Sequence, residues 1–245
     1  NPSIIMIELC GLGQEGPKKH YATWGPNLQP VMGLTNLWNH PGSKIPVGTQ
    51  QPHPDYYAGT VGFLLVISAI RYRMTTGLGQ YFDVAQVETA ASLITPQYNE
   101  YYVNKKIPKP KGNTSQHMSP HNIYRCNGDD QWVSIAVRDD TDWQNLKKAL
   151  GNPSWASSKS YSTTQERVKH AVEIDTALEQ WTKKQSPSEI VKSLQEFGVP
   201  SGEVHAAPGL RDDEQLNHRG HWVPTDSPYL KPLVYSGEPI NLSKA

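Results

Sequence analysis

"SIIMIELCGLGQEGPKKH", residues 3–20, places an apolar, β-branched run directly ahead of glycines at 11, 13 and 16. Ile4, Ile5 and Ile7 show no alternating polar face, which predicts a strand over 3–9 that is covered on both sides, as strands of parallel sheets are. The glycines then read as a tight turn. Their spacing also matches G-x-G-x-x-G, the dinucleotide-binding turn. That reading requires a helix opening at the glycines and an acid about 20 residues further on to hold the ribose. Neither is present. Gly16 is followed by "PKKHYATWGPNLQP", whose prolines and glycine break a crossover helix, and no Asp or Glu lies between Glu15 and Asp55.

Outward from this turn, residues 11–54 are rich in Gly and Pro without a period and read as loop. A helix follows, with Pro54 suited to the first turn and an apolar segment running to Ile70, and Gly77 and Gly79 supply the stop. "YFDVA" (81–85) reads as a second strand and 86–103 as another helix. "NKKIPKPKGNTSQ" (104–116), with four lysines and two prolines, is the best boundary between domains. Beyond it "NIYRC" and "QWVSIAV" are strands joined by the turn "NGDD" (127–130), a hairpin signal. Helices are predicted near 141–150 and over 163–184. A third begins at Ser186-Pro187-Ser188-Glu189, a capping box with proline at its first position, and ends at Gly198. Residues 199–245 are short pieces, with strand character at 220–224 and 232–235. The fold class is therefore α/β followed by a smaller α+β segment and a return arm.

Lys+Arg and Asp+Glu both number 23, so no global charge points to nucleic acid or an anionic membrane. The longest apolar stretch, "VGFLLVISAI" (61–70), is about half a bilayer span. Two cysteines, Cys10 and Cys126, lie in or beside apolar runs and read as reduced, buried thiols, which suits a cytoplasmic protein. The chain opens on Asn1-Pro2 just ahead of a strand, and the expectation is a fragment with sequence missing upstream.

Few residues carry chemistry. His117 and His121 are four apart, but Pro120 separates them and no further ligands of suitable spacing accompany them, so no metal site is expected. No serine sits in a G-x-S-x-G elbow. Asp55 remains. It is the only acid between residues 16 and 82 and falls in the first turn of the most apolar helix. Acids favour helix N-termini for the macrodipole alone. A positioned carboxylate there is also able to act as a covalent nucleophile. Gly59 and Gly62 share the helix and permit close approach of backbone or ligand.

Taken together, "GLGQEGP" after a strand, a loop ending in "PDYYAG", an apolar helix and "TGLGQYFDVAQVETA" resemble the family III CoA-transferases of the CaiB/BaiF type. These include the crotonobetainyl-CoA:carnitine, formyl-CoA:oxalate and aromatic acyl-CoA enzymes. "GNTSQHMSPHNIYRCNGDDQWVSIAV" and "FGVPSGEVHAAPGLRDDEQLNHRGHWV" resemble the family's later blocks, in the same order. The resemblance implies a partial Rossmann-like large domain (1–104) carrying the nucleophile, a linker (105–116), a small α+β domain (117–222) and a return linker (223–245). It implies interlocked homodimers or a heteromer with a related chain, with no tightly bound cofactor and with CoA or acyl-CoA as substrate.

The family's nucleophilic aspartate falls on Asp55, and the implied reaction transfers CoA from an acyl-CoA to a carboxylic acid through an aspartyl-CoA thioester. Gly11, Gly13, Gln14, Gly16, Lys18 and Gln86 are the implied CoA contacts. His53, Tyr56, Gly59 and His117 are the implied substrate contacts. The family's CoA-binding arginines lie mostly upstream of residue 1. Racemase members of the fold carry a histidine where this chain has Trp24, and an indole does not shuttle a proton; transfer is therefore favoured over racemisation. "NTSQHMSP" replaces the glycine run of formyl-CoA transferases, which points to carnitine-type or aromatic and dicarboxylic acyl groups instead. A non-catalytic CoA-binding subunit is the remaining alternative, and the presence of Asp55 weighs against it.

Overall fold

A computed structural model describes residues 1–243 except 50, 228 and 230–232. The chain divides into two compact units, Asn1–Gly112 and Asn113–Ala245.

In the first unit, β1 (Met6–Cys10) pairs in parallel with β2 (Tyr81–Ala85), from Met6 opposite Tyr81 to Cys10 opposite Ala85. The connection carries α1 (Gly25–Val31), α2 (Leu34–Leu37) and the 24-residue α3 (His53–Thr76). α3 extends beyond the apolar run because Arg71–Thr76 contains no breaker. Gly77 ends it, in the left-handed region at φ 75° with its N–H donated to Arg73 O. The helix lies on β1 at Gly62, where an added methyl would come within 3.2 Å of Leu9. At its other end Arg73 donates to Ser3 O and the Gly79 N–H to Pro2 O. α3 therefore runs antiparallel to β1 and begins beyond the strand's carboxyl end. Ala58, Gly62 and Ala69 are buried, whereas Phe63 and Leu64 are 64% and 59% exposed, so an apolar face of α3 is left uncovered by the described residues of its own unit.

α4 (Gln86–Ala91) opens directly from β2 and α5 (Thr95–Asn104) follows after a short 3₁₀ turn at Ser92–Ile94. The single helix expected over 86–103 is thus interrupted. Pro96 lacks an N–H, and its ring would meet the carbonyl of Ser92 inside a continuous helix. A small core of Met32, Leu34, Ala90 and Ile94 joins the first two helices to this segment. α1 and α2 occupy a stretch expected to be loop. Pro26 is tolerated because it falls in the first turn, and Gly33 at φ 89° makes the corner between the two helices.

The second unit is an antiparallel sheet with order β3 (His121–Arg125), β4 (Trp132–Ala136), β5 (Ser201–Glu203). The NGDD turn joins the first pair as expected. α6 (Asp140–Ala149), α7 (Thr164–Lys169), α8 (Ala171–Thr182) and α9 (Pro187–Glu196) complete its core. Tyr124, Val133, Ile135, Trp143, Leu146, Ile174, Leu178, Ile190 and Leu194 are all buried there. The capping box is present: Ser186 Oγ accepts from the Glu189 N–H, and Glu189 accepts from the Ser186 N–H.

The helix expected over 163–184 is two helices meeting at His170, where the backbone leaves helical geometry. Beside this break Arg167 is fully buried. Its guanidinium donates to the carbonyls of Ser119, Tyr161 and Asp139 and to the Asp140 carboxylate, and it packs over the Trp143 ring. α10 (Ala207–Asp212) and α11 (Glu214–His218) precede a last hairpin, β6 (Trp222–Thr225) with β7 (Leu233–Ser236). Pro232, where the second piece was expected to start, lies outside the described residues. Cys126 is buried in the core, whereas Cys10 is only half-buried; both are free thiols.

Candidate active site

In a parallel α/β unit, ligands gather where the strands end and the following helices begin. β1 ends at Cys10 and β2 at Ala85. The glycine turn leaves the first and Gln86 opens α4 from the second, and the Val87 N–H donates to Gly11 O, tying the two together. Gly13 and Gly16 sit at φ 83° and 85°, a conformation that favours glycine. The Gln14 N–H donates to Asp83 Oδ2 at 2.9 Å and its side chain to Cys10 Sγ at 2.7 Å, so Gln14 is held in the turn. The space beside Gly11 is taken up by Thr23, whose hydroxyl an added methyl would strike. Lys18 is exposed in the turn that follows.

Asp55 lies in the first turn of α3, seven residues before Gly62, hence about 10 Å along the helix from the point of contact with Leu9. Its position is at the carboxyl-end side of the strands. The Asp55 N–H donates to Pro52 O at 3.0 Å, closing the helix start. Among the described residues, Asp55 Oδ2 is buried and has no hydrogen-bond partner. Two elements wall it in. Gly25, the first residue of α1, is buried so closely that a methyl group there would run into Asp55 Oδ2 and Pro52 Cβ. Gln29, one turn later and 1% exposed, donates its side-chain amide to Gln51 O at 2.7 Å and to Thr49 O at 3.4 Å. α1 thus holds the strand of chain that leads into α3.

His53 stacks on Trp38 with ring centroids 4.9 Å apart, and its Nε2 is likewise buried without a partner among the described residues. Tyr56, one turn into α3, and Trp24, just before α1, are 66% and 81% exposed; the Trp24 backbone is pinned by its N–H donating to Asn27 Oδ1 at 2.6 Å. A methyl on Gly59 would meet nothing within 4 Å, so this glycine faces open space whereas Gly62 serves helix–strand packing. The structure therefore groups Asp55, His53 and Tyr56 in one helical turn, and the glycine turn with Gln86 at the strand ends. His117 belongs to the second unit, where its N–H donates to Ser115 Oγ. Among the described residues no group of three or more His, Cys, Asp or Glu is placed to hold a metal ion. Nor is any helix among them long and apolar enough to cross a membrane.

Gly25, Gln29, Pro52 and Trp38 were not singled out from sequence. The signal available was Pro26 one residue after an isolated glycine, a helix-start pattern inside a stretch that otherwise reads as loop.

A family model described as CoA-transferase family III matches residues 1–245. The chain belongs to CoA-transferase family III. The succinyl-CoA–D-citramalate CoA-transferase of Chloroflexus aurantiacus is 28% identical over 233 residues, covering 94% of this chain and 57% of that protein. The succinyl-CoA–L-malate CoA-transferase alpha subunit of the same organism is 27% identical over 91% of this chain and 52% of its own length. The crystal structure of a CAIB/BAIF family protein from Brucella suis superimposes with TM-score 0.87 at 24% identity, over all of this chain and 63% of that one. The family III fold is thereby shown. The chain spans between half and two thirds of the length of each of these three proteins.

Proposed function

We propose that this chain carries the nucleophile of an acyl-CoA:carboxylate CoA-transferase, and that the nucleophile is Asp55. The observation that carries the reading is the state of its carboxylate. It stands at a helix start on the ligand side of a parallel sheet, with one oxygen buried and unpartnered and no side chain of the unit bonded to that oxygen. Family membership and the names of the relatives support the reaction class, with small organic acids as CoA donor and acceptor.

The other carboxylate oxygen, Oδ1, attacks the donor thioester carbonyl, the C–S bond breaks and CoA leaves as thiolate, giving a mixed anhydride. The thiolate then attacks Asp55 Cγ; the bond from Cγ to the bridging oxygen breaks, and the donor acid departs with that oxygen. The acceptor carboxylate attacks the resulting aspartyl-CoA thioester, expelling thiolate, which takes the acceptor acyl group from the second anhydride and restores the Asp55 carboxylate. A carboxylate is a weak nucleophile, so orientation has to supply much of the rate; well-placed groups gain about 7–11 kcal/mol. Each attack develops an oxyanion that needs donors. The glycine turn with Gln14 and Gln86 is assigned to CoA, and His53 and Tyr56 to the acids. The protein works as an interlocked homodimer or, as the alpha-subunit relative suggests, beside a related chain.

The cycle exchanges one oxygen of Asp55 for one of the acceptor at each turnover. Acceptor labelled with ¹⁸O in its carboxylate should therefore leave ¹⁸O in the Asp55 peptide. Turnover with no label in that peptide would sink the mechanism. Deuterium entering at the α-carbon of an acyl-CoA without CoA exchange would establish a racemase instead.

A further inference from the structure

The buried oxygen of Asp55 raises the question of what makes room for it. The recess is bounded by Pro52, in the turn just before the nucleophile, and by Gly25, thirty residues earlier on another helix. Gly25 has an ordinary negative φ, so its backbone conformation does not call for glycine. What calls for glycine is the neighbour: a methyl at 25 would overlap Asp55 Oδ2 and Pro52 Cβ and reach 3.0 Å from Pro52 Cα, which is backbone and has little freedom to yield. α1 in turn is fixed to the same loop by Gln29 at 2.7 Å from Gln51 O, so the two sides of the recess are tied together.

We propose that Gly25 is a positioning residue for acyl transfer: its missing side chain forms the recess that buries one Asp55 oxygen and turns the other toward the thioester carbonyl. The proposal rests on the reading of Asp55 as nucleophile given above. The physical consequence goes beyond aim. An ionised oxygen buried without a donor is costly, and a neutral carbonyl in the same place is much less so. Acylation at Oδ1 neutralises the group and leaves the buried Oδ2 as the carbonyl of the anhydride, then of the thioester. The recess therefore disfavours the free carboxylate relative to the acylated states, an interaction that changes along the reaction and so acts on rate more than on substrate affinity.

The test compares wild type with Gly25→Ala in two measurements: equilibrium binding of an acyl-CoA, and the rapid-quench rate at which CoA becomes attached to Asp55. The expected result is an attachment rate lower by about 100-fold, the order that a misplacement of 1 Å brings, with acyl-CoA affinity essentially retained and kcat rather than KM affected. Attachment at the wild-type rate, or equal losses in binding and rate, would overturn the proposal. A double-mutant cycle guards against a folding defect. In urea unfolding, alanine at 25 should cost less stability in an Asp55→Ala background than in wild type, because one of the overlapping partners is gone. Equal cost in both backgrounds overturns it as well. If wild type acquires no CoA at Asp55, the nucleophile assignment itself fails and this inference with it; wild-type labelling unaffected by Gly25→Ala refutes the inference alone.

Discussion

Removing the nucleophile should make the protein more stable. Asp55→Ala deletes a buried carboxylate oxygen that has no partner among the described residues, and leaving such a group unsatisfied costs about 1–3 kcal/mol, more when it is charged. Alanine also gains on aspartate by roughly 0.5 kcal/mol in helix propensity. Against this stands the loss of an acid in the first turn of α3, where interaction with the helix dipole is worth about 0.3–1 kcal/mol. The balance favours the variant by about 1–2 kcal/mol. For a chain of this size that corresponds to a rise of roughly 2–8 °C in Tm. Urea unfolding of ligand-free wild type, Asp55→Ala and Asp55→Asn gives the assay, with Asn gaining less because it keeps a buried polar atom at the site. Activity should be lost in both. Asp55→Ala less stable than wild type would refute the claim that the recess strains the carboxylate.

Two further outcomes follow from particular contacts. Gln29→Leu keeps the bulk of a side chain that is 1% exposed but strips the donor from Gln51 O and Thr49 O, and it also removes Gln29 Oε1, which is buried without a partner among the described residues; the two effects oppose one another, each worth about 1–3 kcal/mol, so the variant should unfold in urea within about 1 kcal/mol of wild type, and a loss above about 3 kcal/mol would contradict that balance. In the second unit the Arg138 guanidinium bonded to Asp142, and that of Arg167 bonded to Asp140, hold these carboxyls below the usual carboxylate range. Because the folded values are depressed, the stability they contribute is present above the unfolded value of about 3.9 and is lost as pH falls through the folded one. Asp142→Asn should therefore flatten the fall in stability below about pH 4; an unchanged acid limb in urea titrations would count against the pairing.

The sequence carries what is local. Pro54 and Gly77 delimit α3, the Ser186–Glu189 box starts α9, and NGDD sets the first hairpin, because each signal lies within a few residues of the structure that it specifies. Non-local structure left less trace. β5 is three residues, Ser201–Glu203, with no strand propensity of its own, and exists through pairing with β4. α1 hides behind Gly25, Pro26 and Pro30, which read as breakers until tertiary packing places them. Arg167 is a surface residue by composition; five hydrogen-bonding partners, spread from Ser119 to Thr164, account for its burial. At the site, Asp55 stands out in the sequence as the lone acid at the start of an apolar helix, whereas His53 enters only through the family resemblance. Gly25 does not stand out, because its reason for being glycine is a carboxylate thirty residues away.

The central claim is covalent chemistry at one oxygen of one residue. Incubating the protein with an acyl-CoA, digesting it and weighing the peptide that contains Asp55 tests it directly. A mass increase equal to CoA attached through a thioester, released by hydroxylamine and missing in Asp55→Asn, is the predicted result. CoA exchange between acids with no such adduct, persisting in Asp55→Asn, would contradict the account.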